Sequence, residues 1–154
     1  MKKSIGFIFA GLLAAGITAG CNSNNNGTTI PGQGSNCGNP PSGFQLLYPR
    51  DNAGHIPPQN AVAVWVAAKP ALVVGNSYDL APVTSGGALP TTSTFATYNG
   101  PIPNPHNSPA PGSTVYQTNF LYPIGPLQTV QLFWNDGGTG CNPNVIVGTF
   151  TTGQ

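Results

Sequence analysis

The sequence contains few charged residues and no glutamate. Its 154 residues include four Lys and Arg residues and three acidic residues, all of them Asp. Without a cluster of Lys and Arg, the chain lacks the electrostatic surface that nucleic-acid binding requires. Without an acidic run, it also lacks the composition of an acidic disordered tail. We therefore predict a globular protein whose solubility depends on Asn, Gln, Ser and Thr, and no nucleic-acid partner.

Titratable side chains are too few for the common catalytic arrangements. Asp51 and Asp136 lie in turn sequences, where Asp commonly binds nearby backbone groups. There is no G-x-S-x-G nucleophile elbow, and His55 and His106 lack a third ligand at a recognisable zinc spacing. A calcium site formed by Asp51 and Asp136 would be short of the oxygen ligands that Ca²⁺ prefers. We predict no catalytic residues, no metal and no cofactor.

After residue 44 the sequence lacks helical periodicity, since no apolar i, i+3, i+4, i+7 pattern continues for three turns without Pro or Gly. Short apolar or alternating segments recur between turn sequences, as in antiparallel β-proteins. We predict strands over residues 44–48, 61–67, 71–74, 78–83, 92–98, 115–122, 129–134 and 145–152. Residues 71–74 and 78–83 are predicted to form a hairpin around Gly75-Asn76. The Pro-rich segment 101–111 is predicted to be either a stiff connection between two sheets or a partner-binding arm.

Residues 1–20 have the order of features of an export signal. Two lysines precede an apolar stretch over residues 5–17, and small residues then lead to Cys21. The stretch ITAGC over residues 17–21 resembles the lipobox of bacterial lipoproteins, with Thr18 where Leu is usual. The resemblance implies that Cys21 is diacylated and anchors an exported chain to the cell membrane or outer membrane, facing the periplasm or the cell surface. The alternative is an ordinary signal peptide with an incidental cysteine.

The rest of the chain divides into a tether and one domain. Residues 21–36 contain the lipidated cysteine and an uncharged segment rich in Asn and Gly, which is typical of a flexible tether. Residues 37–154 are predicted to form a single domain. Cys37 and Cys141 form an even pair in an exported chain, which favours a disulfide over a metal site.

Two parts of this domain resemble bacterial Ig-like domains. Leu47-Tyr48-Pro49, followed by Ile56-Pro57 and an alternating segment over 61–66, is similar to the opening of such domains. Residues 126–132 resemble their entry into strand F, and residues 148–153 resemble their last strand. The resemblance implies an all-β fold, a single Ig-like antiparallel β-sandwich of about seven or eight strands. Domains of this fold serve many functions, so the resemblance leaves the activity open.

Trp65 and Trp134 are the candidate ligand-binding residues. In the segment 61–67, alternation places three valines on one face and Trp65 on the other, so one of the two sets is expected to point outward. An outward Trp stacks on a sugar ring, whereas an inward Trp caps the core. We expect a non-catalytic binding or adhesion module at the membrane surface, with an envelope protein or polysaccharide as partner. The alternatives are a structural accessory subunit of an envelope complex and a carbohydrate-binding module.

Overall fold

The computed structural model describes residues 35–73, 75–138 and 141–154. The predicted signal peptide, Cys21 and most of the predicted tether lie outside these residues. The described residues form nine strands and one short 3-10 helix, Pro58–Asn60, so the prediction of an all-β fold is confirmed and the predicted number of strands was too low. The strands are β1 (Gln45–Tyr48), β2 (Ala53–Ile56), β3 (Ala63–Ala68), β4 (Asp79–Thr84), β5 (Gly87–Ala88), β6 (Ala96–Thr97), β7 (Thr114–Asn119), β8 (Thr129–Asn135) and β9 (Ile146–Thr152).

The strands are arranged in two sheets. The four-stranded sheet has the order β1-β3-β7-β6, and all its pairs are antiparallel. The five-stranded sheet has the order β2-β9-β8-β4-β5, in which only β2 and β9 are parallel. The chain changes sheet between β1 and β2, between β2 and β3, between β3 and β4, between β5 and β6, and between β7 and β8.

An aromatic cluster around Trp134 fills the space between the sheets. Trp134 is 1% exposed, and its ring lies 4.9 Å from Phe44, 5.2 Å from Tyr78 and 6.1 Å from Phe95 between ring centroids. Phe95 also contacts Tyr116 of β7, which lies in the sheet opposite that of Trp134, with 6.3 Å between ring centroids. Removal of this apolar area from water is the main force that holds the two sheets together.

β3 is buried on both faces, so the expectation that an outward-pointing set of its side chains is exposed is wrong. Val64 and Val66 are fully buried, and Trp65 on the opposite face is only 8% exposed. Trp65 packs edge-on against Tyr48 and Tyr98, with 5.7 Å between ring centroids in each pair. Its cover must therefore come from residues outside the sandwich core.

The Pro-rich segment 101–111 contributes to this cover, since its Ile102 packs against the buried cluster that includes Trp65. It does not cross between the sheets as predicted, because it connects β6 and β7, which are adjacent in the four-stranded sheet. β6 and β1 lie at opposite edges of that sheet, yet the backbone N–H of Asn107 donates to the carbonyl of Leu47 and its Nδ2 donates to that of Leu46, each at 3.0 Å. The segment therefore runs from the β6 edge of the sheet to the β1 edge, and at its start the carbonyl of Pro101 accepts a hydrogen bond at 2.8 Å from the hydroxyl of Tyr98, which packs on Trp65.

Several predicted strand boundaries were wrong. Residues 71–73 form no strand, and β4 pairs with β8 over six residue pairs instead of forming a hairpin with them. The hairpin fails because the connection from β3 to β4 must pass from one sheet to the other. The predicted strand 92–98 shortens to β6, and the predicted strand 115–122 ends at Asn119. β2 and β5 were not predicted.

The strands end in two groups of connections. Ala68 pairs with Thr114 and Asp79 with Asn135 at one end, which we call the disulfide end; it comprises residues 35–44, 69–73, 75–78, 136–138 and 141–145. The opposite end, called the far end, comprises residues 57–62, 84–87, 120–128 and 153–154. The edge strands are short: β5 and β6 have two residues each, β2 has four, and the outer edge of β1 is covered by Asn107.

Candidate functional site

A disulfide joins two distant segments at the disulfide end. The Sγ atoms of Cys37 and Cys141 lie 2.12 Å apart, across a sequence separation of 104 residues. The predicted pairing of these cysteines is thus found in the structure. The backbone N–H of Cys37 donates to the carbonyl of Asn142 at 3.1 Å, and the N–H of Asn142 donates to the carbonyl of Ser35 at 2.9 Å. These contacts hold the first described residues against the connection between β8 and β9.

Asp136 organises the turn beside the disulfide. Its Oδ2 accepts a hydrogen bond from the backbone of Gly38 at 2.6 Å, and its Oδ1 accepts one from Gly138 at 2.9 Å. Gly137 adopts a positive φ of 76°, and a β-carbon there would lie 2.8 Å from the carbonyl oxygen of Ser77. Only glycine fits this position without strain. The two turns at 75–77 and 136–138 therefore approach each other closely.

The predicted absence of a metal site remains a prediction, and the geometry bears on it in one place. Cys37, Asp136 and Cys141 are the one set of three potential ligands that come together in the described ranges. The two sulfur atoms are bonded to each other, and Asp136 already accepts two backbone hydrogen bonds. Asp51 is not part of this set; its Oδ1 accepts from the backbone of Thr149 at 2.8 Å.

A polar groove lies between the two turns. It has a volume of about 320 Å³ and is lined by Gly75, Asn76, Ser77, Asp136, Gly137 and Gly138. Asn76 and Ser77 are exposed, so an amide, a hydroxyl and several backbone groups face the solvent. Groups of this kind form hydrogen bonds with uncharged polar ligands.

A smaller aromatic cavity adjoins the groove. Its volume is about 190 Å³, and its lining residues include Leu72, Tyr78, Phe95 and Tyr116. The cavity and the groove share Gly75 and Asn76 as lining residues. The Nδ2 of Asn76 donates a hydrogen bond to the hydroxyl of Tyr78 at 2.7 Å. A concave surface that combines aromatic walls with a few fixed polar groups is typical of a binding site. We call the groove and the cavity together the disulfide-end site.

Trp65 and Trp134, the predicted ligand-binding residues, are not at this surface. Trp134 lies beneath the cavity, stacked on Tyr78, and Trp65 lies under the segment that follows Tyr98. With 1% and 8% of their surfaces exposed, neither ring offers an open face for stacking. Neighbouring aromatic rings would have to move before a sugar could contact either one.

Sequence reasoning did not identify Asn76 and Ser77 as site residues. The Gly75-Asn76 dipeptide was interpreted only as a hairpin turn. Its position opposite Asp136-Gly137 depends on the pairing of β4 with β8. In that pairing Asp79 lies opposite Asn135, which is 56 positions further along the chain (135 − 79). No local pattern contains that information.

Asp79 begins β4 directly beneath this site. Burial raises the pKa of its carboxyl group to about 6 from the ordinary 3.8, although hydrogen bonds from the side chains of Asn135 and Thr91 lower it in part. The ionised form is therefore less stable in the folded than in the unfolded chain.

This pKa predicts a pH-dependent stability that depends on Asp79. The protonated carboxyl favours folding below about pH 4, and this contribution is lost as the pH rises through about 6. Asp79→Asn should remove this loss of stability at high pH. The free energy of unfolding of the variant should therefore exceed that of the wild type by about 1 kcal/mol at pH 7, and the two should be equal at pH 3.5. Urea unfolding of both proteins at the two pH values measures this. Parallel pH profiles for the two would contradict the assignment.

Known proteins provide no functional assignment. Comparison of the chain with known protein families, with curated proteins and with solved structures gave no match. The part of the chain that the structure describes has no helix with the length and apolar character needed to cross a membrane.

Proposed function

We propose that the protein is a lipid-anchored envelope protein whose Ig-like domain is a non-catalytic binding or adhesion module. The strand order supports the Ig-like assignment. The order β1-β3-β7-β6 corresponds to strands A-B-E-D of an Ig-like sandwich, and β9-β8-β4-β5 corresponds to G-F-C-C′. In this correspondence residues 126–132 enter strand F and residues 148–153 lie in and after strand G, as the sequence resemblance implies.

The proposed anchor is the diacylated Cys21, which lies outside the described residues. Its support is the lipobox-like stretch 17–21 and the export signal before it. The described chain begins at Ser35, at the disulfide end. A disulfide in the first residues of the domain is also consistent with an oxidising compartment.

The disulfide-end site is the observation that carries the proposed binding function. It is formed by connections between strands, where binding residues are commonly found, and the disulfide and Asp136 fix those connections to the sandwich. Its exposed Asn76 and Ser77 and its aromatic wall suit an uncharged partner surface rich in hydroxyl or amide groups, such as a polysaccharide or a polar protein segment. The short outer strands β5 and β6 disfavour assembly by strand addition.

Photo-crosslinking in intact envelopes tests this proposal. A photoreactive residue at Ser77 should give a discrete adduct with an envelope protein or polysaccharide, because this position faces the groove. The same chain carrying Cys21→Ser should leave the membrane fraction and lose at least about nine-tenths of the adduct, since a tethered site has a much higher effective concentration.

A photoreactive residue at Ser85 is the matched control. Ser85 is an exposed serine in the turn between β4 and β5, at the far end. Adducts at Ser85 but not at Ser77 would show that the disulfide-end site is not the binding surface. Full retention of the Cys21→Ser chain in the membrane fraction, with its signal peptide normally cleaved, would contradict the lipid anchor.

A further inference from the structure

The connection between β7 and β8 is apolar and exposed, which is unusual for a loop. Residues 120–127 read FLYPIGPL and contain no charged, amide or aliphatic hydroxyl side chain. Leu121, Tyr122 and Leu127 are 56, 66 and 68% exposed. Exposed apolar patches of this kind mark surfaces that contact a protein or a membrane. We infer that this apolar loop inserts into the interfacial region of a neutral lipid bilayer, an inference that rests on the proposed envelope location.

The loop is held by hydrogen bonds to the end of β9, and one of its residues, Leu127, has a strained backbone conformation. Leu127 has a φ of 55°, in the left-handed region that disfavours residues with a β-carbon. Its backbone N–H donates to the carbonyl of Gly153 at 3.0 Å, and the hydroxyl of Thr152 donates to the carbonyl of Gly125 at 2.8 Å. Gly or Asn would fit this position with less strain. An exposed Leu in this strained conformation points to a role for its side chain.

The backbone of the loop lacks an unsatisfied donor at half of its positions, and the hydrated interfacial region of a bilayer can satisfy the rest. Pro123 and Pro126 have no N–H to satisfy. The N–H groups of Phe120 and Leu127 are already bonded to carbonyl groups of neighbouring segments. Half of the eight loop residues therefore bring no unsatisfied donor into the bilayer. Ile124, only 3% exposed, fixes the middle of the loop to the core.

A bilayer fits the apolar loop better than a protein partner does. The far end has no acidic or basic side chain, so it can neither steer a charged partner nor attract anionic lipids. The three exposed side chains offer on the order of 400 Å², about half of what each partner contributes to a stable protein interface. A second copy of this chain would contribute the same apolar area, which is too small for a stable dimer. Insertion of a loop that the anchor already holds at the membrane needs less area, because tethering raises its effective concentration, and Tyr122 is of a type enriched at the membrane interface.

The tether is long enough for this orientation. Residues 22–34, which separate Cys21 from the described chain, span up to about 45 Å when extended. The seven residues of β9 span about 24 Å along the sandwich. The far end can therefore reach the membrane that holds Cys21, which leaves the disulfide-end site facing away from that membrane.

The test uses the full acylated chain in phosphatidylcholine vesicles, with a polarity-sensitive dye on a cysteine introduced by Tyr122→Cys. The new cysteine is the one free thiol if Cys21 is acylated and Cys37 is bonded to Cys141. The dye should shift to shorter wavelength and be quenched by brominated lipids. Adding Leu127→Asn should lower the ratio of inserted to free loop about tenfold, the usual effect of one buried Leu. Because Asn tolerates a positive φ, this change should not unfold the loop.

The matched control carries the dye at Val73, an apolar residue of the disulfide end that is 64% exposed. Its emission should stay that of a dye in water, and Val73→Asn should leave quenching at position 122 unchanged. If the dyes at positions 122 and 73 show the same water-like emission in a chain that floats with the vesicles, the inference is overturned, but the lipid anchor is not. Insertion that requires anionic lipid, or a Leu127→Asn effect seen only as a lost protein crosslink, would also overturn it. A chain that mass spectrometry shows to lack acyl groups and that does not float would overturn both proposals.

Discussion

Replacement of both Cys37 and Cys141 by Ser is expected to lower the free energy of unfolding by about 4–5 kcal/mol. The bridge closes a loop of 104 residues, and cross-linking so long a loop removes much of the conformational freedom of the unfolded chain. It also fixes the start of the domain to the connection between β8 and β9. Since small domains unfold with roughly 5–15 kcal/mol in total, we expect the variant to be partly unfolded near 37 °C. Urea unfolding followed by tryptophan fluorescence measures the loss.

Reduction of the wild-type protein is the control for this prediction. A thiol reductant should reproduce the unfolding curve of the double variant and leave the double variant itself unchanged. A loss below about 1 kcal/mol would mean that the bridge constrains the unfolded chain far less than its loop length implies. Modification of both cysteines by a thiol reagent without reductant would show that the exported protein does not form the bridge.

Trp134→Ala is expected to cost about 3–5 kcal/mol, the usual range for truncating a buried large aromatic residue. The indole contacts Phe44, Tyr78 and Phe95, which come from three separate parts of the chain. Its removal leaves a cavity where the two sheets meet and loosens Tyr78, a wall of the disulfide-end site. Thermal unfolding and urea unfolding both measure this loss.

Trp134→Phe is the matched control. It keeps an aromatic ring in the cluster and removes an indole N–H that is buried without a hydrogen-bond partner among the described residues. Its cost should be well below that of the alanine variant, about 1–2 kcal/mol. Equal costs for the two variants would mean that a contact specific to the indole, rather than the aromatic ring that Phe keeps, determines stability at this position.

The strands that alternate along their own sequence could be predicted. β8 and β9 alternate between the core and the opposite face, with Val130, Leu132 and Trp134 buried. β2 was missed because it contains Gly54 and a His55 with a φ of 57°, and because it forms a parallel pair with a strand near the other end of the chain. A strand of this kind has no local pattern.

The burial of Trp65 and the position of the disulfide-end site both depend on contacts across the chain. Tyr98 and the segment after it cover Trp65, so the alternation in β3 could not distinguish an exposed face from a covered one. Tyr122 was predicted to extend β7 because an apolar loop and an apolar strand have the same composition. The disulfide was predictable, since with Cys21 assigned to the lipid anchor the other two of the three cysteines allow one pairing.

The short and covered outer strands bear on how the protein behaves when many copies share one surface. A protein confined to a membrane meets its own copies at a high local concentration, and a long open strand would then favour self-association and amyloid-like stacking. Of the four edge strands, β5 and β6 offer only two residues each for such pairing, β2 has four residues with an irregular register, and the hydrogen bonds from Asn107 cover the β1 edge. With few charged side chains to repel one copy from another, this sandwich depends on the geometry of its edges to remain unaggregated.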